Sequence, residues 1–278
     1  MTETISVTLL RGGFRLLGKT SPAIASRFAE TLFTTPRRFR APDREKAAMT
    51  EAMPSGVAFE GMTLRAWRWG AGPAVLLVHG WEGRGSQMTP FVAPLVERGM
   101  SVVTFDAPAH GSSGGTRTTL PQFTAAIRTV AESIGPIHGI IAHSFGCAAT
   151  TLAMHDGFDA KRLIFIAPPV DPATYTRRFG EFFGLDDEIV EGMKQRIERR
   201  FHRKWTDFSV QKMAANMSAP LLVIHDSDDA EIPIDESHAI VASWPASRLL
   251  VTSGLGHRRI LRDHSVTRAA AEFIGAAL

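Results

Sequence analysis

The stretch IIAHSFG, residues 140–146, ends an apolar run on a serine. Where a buried strand turns sharply into a helix, a serine is pushed out of the hydrogen-bonded ladder and its Oγ faces a reactant. Such a turn needs small residues two positions before and two after, and Ala142 and Gly146 stand there. A serine hydroxyl is a weak nucleophile at neutral pH and requires a base. His257, in LGHRRI after the last apolar run, is the candidate base. A carboxylate is then needed to orient the imidazole and stabilise its cation. DSDDAEIP supplies Asp226, Asp228 and Asp229, and Asp171 follows the preceding apolar run.

These residues lie at the ends of apolar runs: AVLLVH (74–79), SVVTFD (101–106), GIIAHS (139–144), RLIFIAP (162–168), PLLVIHD (220–226) and RLLVTSG (248–254). Each is short and apolar on both faces, as buried parallel strands are. Segments with helical spacing, such as LPQFTAAIRTVAESIG, separate most of them. Alternating strands and helices imply an α/β fold with a mostly parallel sheet flanked by helices. In such sheets ligands bind beyond the carboxyl ends of the strands, where Ser144 falls. Ahead of these runs, VAFEGMTLRAWRW predicts a hairpin turning at Glu60-Gly61.

Two segments depart from the alternation. Between Pro168 and Pro220, Ile189, Met193, Ile197, Phe201 and Trp205 recur every four residues. Asp186 is placed to cap this helix, with Asp187 and Glu188 in its first turn and Arg203 and Lys204 in its last. At the other end, Ser21-Pro22 predicts an N-cap and first turn, and Ile24, Phe28 and Leu32 predict one helix face. The expected organisation is a basic helical N-terminal extension over 1–56, a core over 57–169 and 218–278, and a helical cap insertion over 170–217.

Composition bounds the classes. Of 278 residues, 44% are hydrophobic and 21% charged, which describes a globular chain able to bury a large core. No apolar run reaches the roughly 20 residues of a spanning helix, and VTLL is too short for a signal peptide's apolar region. The single cysteine, Cys147, excludes an intrachain disulfide and suits a reducing, cytoplasmic setting. No thiolate metal site can be built from it, and the ten histidines lack zinc-ligand spacing. Net charge is +3, and residues 1–40 carry seven basic residues against Glu3 and Glu30. That segment is read as a solvated face on an added helix. It also allows weak contact with a membrane surface or a homodimer contact; nucleic acid is not an expected partner.

The motifs together resemble the α/β-hydrolase superfamily over roughly residues 57–278. AHSFG is similar to the G-x-S-x-G nucleophile elbow, with Ala142 in place of the first glycine. The family order of serine, acid and histidine is kept, and GLGH resembles the family's G-x-G-H context. Resemblance to G-x-x-D-x-x-V-P selects Asp229 as the acid, with Ile232-Pro233 closing the turn; Asp226 and Asp228 are then loop hydrogen-bonders. HGWEGRGSQ looks like the family's H-G-x motif. It implies an oxyanion hole from the backbone N–H groups of Trp81 and Phe145, with His79 structural; Glu82, Arg84 and Gln87 are read as facing solvent, with contact to a substrate as the alternative. FDAPAHGSSGG resembles D-x-P-x-x-G-x-S, with Asp106 bracing its loop and His110 a candidate pocket residue.

The resemblance implies a serine hydrolase, with Ser144, His257 and Asp229 catalytic and with no cofactor or metal. The expected substrate is a small carboxylic ester with an apolar acyl group; of Phe179, Phe182, Phe183, Leu185, Phe201 and Trp205 in the cap, some are expected to cover the core and the rest to line the acyl pocket. Thioesterase, peptidase and acyltransferase activities use the same apparatus. A non-catalytic binding protein on the same fold is the alternative of another class.

Overall fold

The structure is a computed structural model that describes residues 2–276. Met1, Ala277 and Leu278, at the ends of the expected extension and core, lie outside the described residues. The chain divides into two compact units: residues 36–170 with 210–278, and residues 1–35 with 171–209. Residues 36–56, grouped in the sequence reading with the extension, belong to the first of these.

That first unit is built on one eight-stranded sheet. Its strands are β1 (Met53–Phe59), β2 (Met62–Trp69), β3 (Ala74–Val78), β4 (Ser101–Phe105), β5 (Ile137–His143), β6 (Arg162–Ile166), β7 (Leu221–Asp226) and β8 (Ser247–Thr252). Their order across the sheet is β1-β2-β4-β3-β5-β6-β7-β8. The hairpin forms where expected: β1 and β2 pair antiparallel, and Glu60 and Gly61 turn at φ of 42° and 74°. β2 runs antiparallel to β4, and all pairs from β4 to β8 are parallel. Every residue of β3, β4, β5 and β7 is buried, which explains their unbroken apolar runs. On one face the core joins Val75, Leu77, Ile141, Ile164 and Ile224 of the sheet to Phe91 and Leu95, and to Val266 and Ile274 of the final helix. The parallel strands bring their carboxyl ends, and the loops that follow them, to one edge.

The second unit is helical. Its long helices are Thr2–Thr20, Pro22–Phe33, Ala173–Phe183 and Asp187–Phe201. Phe14, Ala25, Ala29, Ile189 and Met193 form its core, with Phe179, Phe183 and Leu185 packed on them.

Three sequence expectations change here, and a fourth is narrowed. Ser21 precedes Pro22 as expected, but its side chain makes no capping hydrogen bond. The predicted face of Ile24 and Phe28 is exposed by 58% and 41%; the helix buries Ala25, Ser26, Ala29 and Glu30 instead. Close approach is the reason, because a Cβ on Gly192 would strike the Ser26 side chain, so only small residues fit between these helices. The helix begun at Asp187 stops at Phe201, where His202 turns left-handed at φ 52°, so Arg203 and Lys204 lie beyond it. Of the cap residues divided between core and pocket, Phe179, Phe183 and Leu185 pack on this unit's own core.

The basic residues of the N-terminal segment are also less free than a solvated face implies. Arg11 donates two hydrogen bonds to the Phe182 carbonyl, and Arg37 and Arg38 are bound within the sheet unit. Among the described residues no helix is long and apolar enough to cross a membrane.

Candidate active site

β5 ends at His143, and the helix Phe145–His155 begins two residues later, which leaves Ser144 as the hinge. Its backbone sits at φ 53°, ψ −125°, a region that costs a non-glycine residue about 1–3 kcal/mol. Two backbone bonds of 2.9 Å hold it: Ser144 N–H to the Ile166 carbonyl, and Cys147 N–H to the Ser144 carbonyl. The hydroxyl is half-buried and forms no cap bond to the helix, so it is not committed to local structure. The small neighbours have visible reasons. A Cβ on Gly146 would lie 2.5 Å from the His79 carbonyl oxygen. Ala142, in the place of the motif's first glycine, is fully buried in β5 between Val78 and Phe165, and the sheet accommodates its methyl group.

His257 lies just beyond β8, in a short helical turn, Gly256–Arg259. Its Nδ1 donates to Asp229 Oδ2 at 2.7 Å. The Asp229 side chain is fully buried; Oδ1 accepts from the Glu231 and Ile232 N–H groups, and His225 Nε2 lies 3.4 Å from Oδ2. Burial opposes ionisation of Asp229, but the bonds from His225, His257 and Ile232 outweigh it and hold the carboxyl well below its usual range. A charged acceptor on Nδ1 fixes the tautomer, leaving His257 Nε2 as the basic nitrogen.

The other aspartates do different work. Asp226 accepts from the Leu255 and Gly256 N–H groups, the Thr252 hydroxyl and the Asp228 N–H, fastening the loop that carries His257. Asp228 accepts from Gly254 N–H, and Asp171 from Ala173 N–H. Among these carboxylates, Asp229 is the one hydrogen-bonded to His257. The histidine is in turn tied to the elbow: His143, the residue before Ser144, donates from Nε2 to the His257 carbonyl at 2.9 Å. The two imidazole rings are 4.7 Å apart. Burial, then the neighbouring His257, pulls the His143 pKa down to about 3, which keeps it a neutral donor.

The loop after β3 completes the site. A Cβ on Gly80 would sit 2.9 Å from Ser144 Cβ, so this glycine brings the HGW backbone against the elbow. Two neutral histidines shape the loop. His79 accepts from Ala107 N–H at Nε2, and its Nδ1 reaches the Gly80 carbonyl at 2.7 Å. His110 accepts from Glu82 N–H at Nε2, with Nδ1 on the Pro108 carbonyl. Burial lowers both, His79 well below its usual value and His110 to about 4. His110 is thus a buried loop brace. Asp106 plays the bracing part expected of it, accepting from Gly85 and Ser112 N–H groups at 2.7 Å each.

Glu82 and Arg84, expected to face solvent, are engaged. Arg84 is buried in a two-bond pair with Glu45, and Glu82 binds Arg37. A buried charge is tolerated when its partner is close and the remaining lone pairs are satisfied, and Ser86 supplies the further bond to Glu45. Cys147 is fully buried and its pKa is pushed well up, so it is an inert packing residue. Sequence reasoning missed the aromatic wall beside the elbow. The half-buried rings of Trp81 and Phe145 meet edge to face at 5.3 Å, backed by Phe123 at 5.5 Å from Phe145.

A mostly parallel sheet carrying a serine on a strained strand-to-helix turn, with a histidine–aspartate pair bonded to the residue before that serine, defines a class of α/β proteins. The chain belongs to the alpha/beta hydrolase family, whose model matches residues 75–273. Among curated proteins no significant match is found. Solved structures share the fold at low identity. An esterase from Pyrococcus furiosus is 19% identical at a TM-score of 0.68, covering 87% of this chain and 98% of its own. Est1E from Butyrivibrio proteoclasticus is 22% identical at a TM-score of 0.63, covering 82% and 100%. A bromoperoxidase from Bacillus anthracis is 17% identical at a TM-score of 0.61, covering 80% and 99%. Proteins named for different activities share this fold, so the reaction has to be argued from the site.

Proposed function

We propose that the protein is a serine hydrolase acting on small carboxylic esters. Ser144 Oγ attacks the ester carbonyl while His257 Nε2 takes its proton. Asp229, ionised and buried, holds the imidazole in register and stabilises the cation that forms. The tetrahedral oxyanion is held by the N–H of Trp81 and by that of Phe145, the first in its helix and so without an intrahelical partner. The alcohol leaves with the proton from His257. Water, deprotonated by the same nitrogen, then cleaves the acyl-enzyme, returning Ser144 and releasing the acid.

The carrying observation is the 2.7 Å bond between His257 Nδ1 and Asp229 Oδ2, on a loop hooked to the residue before Ser144. An apolar acyl group fits the Trp81 and Phe145 rings beside the elbow. The esterase names of two structural neighbours agree with this chemistry. Ala142 pairs with Val78 and Phe165 in regular register, so the departure from the motif's first glycine is compatible with the catalytic reading.

A panel of p-nitrophenyl esters of increasing chain length, with matched acyl thioesters and anilides, tests the reading. Esters are expected to turn over fastest, and Ser144→Ala to abolish turnover. Turnover by that variant at the wild-type rate, or no ester cleavage above background, overturns it.

A further inference from the structure

The segment directly after residue 35 makes an unusual set of contacts. Arg37 donates its backbone N–H and Nε to Glu82 Oε1 at 3.1 and 3.0 Å, and Nη2 to Oε2 at 3.1 Å. Arg38 donates to the carbonyls of Gly111, Ser113 and Gly115 at 2.9, 2.9 and 2.7 Å. Glu45, buried in the helix Asp43–Ala48, accepts from Arg84 at 2.7 and 2.9 Å and from Ser86 at 2.7 Å. Within twelve residues the chain therefore grips both loops that frame Trp81, the one after β3 and the one after β4.

The residue that Arg37 grips adjoins Trp81 and has a left-handed backbone. Glu82 follows Trp81 directly and sits at φ 55°, a left-handed conformation that costs a residue with a Cβ relative to glycine. Three bonds from Arg37 fix its carboxylate, and His110 fixes its N–H. If Glu82 relaxes, the Trp81–Glu82 peptide rotates and the Trp81 Cα shifts, displacing the adjoining Gly80–Trp81 peptide and the N–H that it carries. A loop whose strain is held by paired charges from a separate segment is preorganised by that segment.

We infer that residues 36–48 act as a strap that sets the direction of the Trp81 N–H, with Arg37 and Glu45 as positioning residues for the oxyanion hole. This rests on the reading of Trp81 as an oxyanion donor. The strap touches no substrate; it acts through the backbone of residues 81–86. An oxyanion donor is used mainly in the transition state, so a loosened strap lowers kcat and leaves KM in place.

The test is a double-mutant cycle on the exposed end of the strap, where folding is not at stake: Arg37→Ala, Glu82→Ala and the pair, in the full chain. Steady-state ester kinetics are measured alongside Tm and the Ki of a trifluoromethyl ketone, which forms the tetrahedral adduct. Each single variant is expected to lose about 10- to 100-fold in kcat, with KM within twofold and the Ki rising in parallel. The double variant is expected to lose no more than either single one. Arg37→Lys keeps the charge without the two-pronged geometry and should recover only part of kcat. A kcat within threefold of wild type in the single variants, or a loss carried by KM, overturns the strap. A wild-type protein that neither cleaves esters nor reacts at Ser144 fails earlier and removes the hydrolase reading and the strap together.

Discussion

The two units bury charge in contrasting ways. In the helical unit, Glu30 is 1% exposed and accepts 2.5 Å bonds from Arg196 and Arg200, each on the opposing helix and partly open to water. That cluster joins helices. In the sheet unit, Asp229 is equally buried, but its partners are imidazoles and backbone N–H groups. One imidazole belongs to a loop residue that can gain a second proton. The first arrangement spends its acceptors on holding two helices at close range; the second binds His257 through Nδ1 and leaves its Nε2 outside the carboxylate pair. Burial of a carboxylate does not mark a reactive site unless what it binds can itself accept a proton.

The contrast breaks most sharply at Ser144. Ser144→Ala should cut ester kcat by roughly 10⁴-fold or more while leaving the thermal unfolding midpoint in place, read by steady-state kinetics and calorimetry. Glu30→Ala should do the opposite sort of damage, lowering stability by about 1.5–3 kcal/mol through the loss of two charge-assisted bonds, seen as a fall in the urea midpoint. Ala29→Leu, on the close-packed face of the same helix, should cost about 1–3 kcal/mol by overpacking in the same assay.

Acid should weaken the sheet unit through its neutral histidines. His110 and His143 have folded pKa values of about 4 and 3, below the roughly 6.5 of an unfolded histidine. The unfolded chain therefore binds more protons, and stability falls as pH drops below 6.5, by up to about 1.4 kcal/mol per pH unit for each group. Urea midpoints between pH 7 and 5 check the slope; a flat profile would contradict their burial as neutral bases. The smallest effect is expected at Ile24, whose exposed side chain should tolerate Ile24→Ser within about 0.5 kcal/mol.

The same division explains how much was legible in sequence. Strands β3 to β7 show as short apolar runs because both of their faces are buried, while the edge strand β8 is apolar but only partly covered; three turns carry local chemistry: Gly146 after Ser144, Gly80 after His79, and Gly256 before His257. Ser144, His257 and Asp229 were visible as a set because each sits at such a turn. Their pairing has no local signal, and the preference for Asp229 over Asp226 or Asp228 came from resemblance alone. In the helical unit the spacing of Ile24, Phe28 and Leu32 marks a face of which Ile24 and Phe28 are exposed and only Leu32 packs on the core. Helices that approach closely bury Ala and Ser, which carry little hydrophobic signal, and leave larger side chains at the margin. Arg37 with Glu82, and Glu45 with Arg84, are separated by 45 and 39 residues, so runs of charge in the sequence looked like solvated surface. The Trp81 and Phe145 wall was hidden because both residues had been valued only for their backbone N–H groups.

The central claim is that His257, held by Asp229, activates the hydroxyl of Ser144. Labelling with a fluorophosphonate, followed by intact-mass and peptide mapping, addresses it most directly. One adduct per chain, located on Ser144 and slowed at least 100-fold by either His257→Ala or Asp229→Ala, is the predicted result. An adduct on another residue, or labelling of Ser144 at an undiminished rate in the His257→Ala variant, would contradict it.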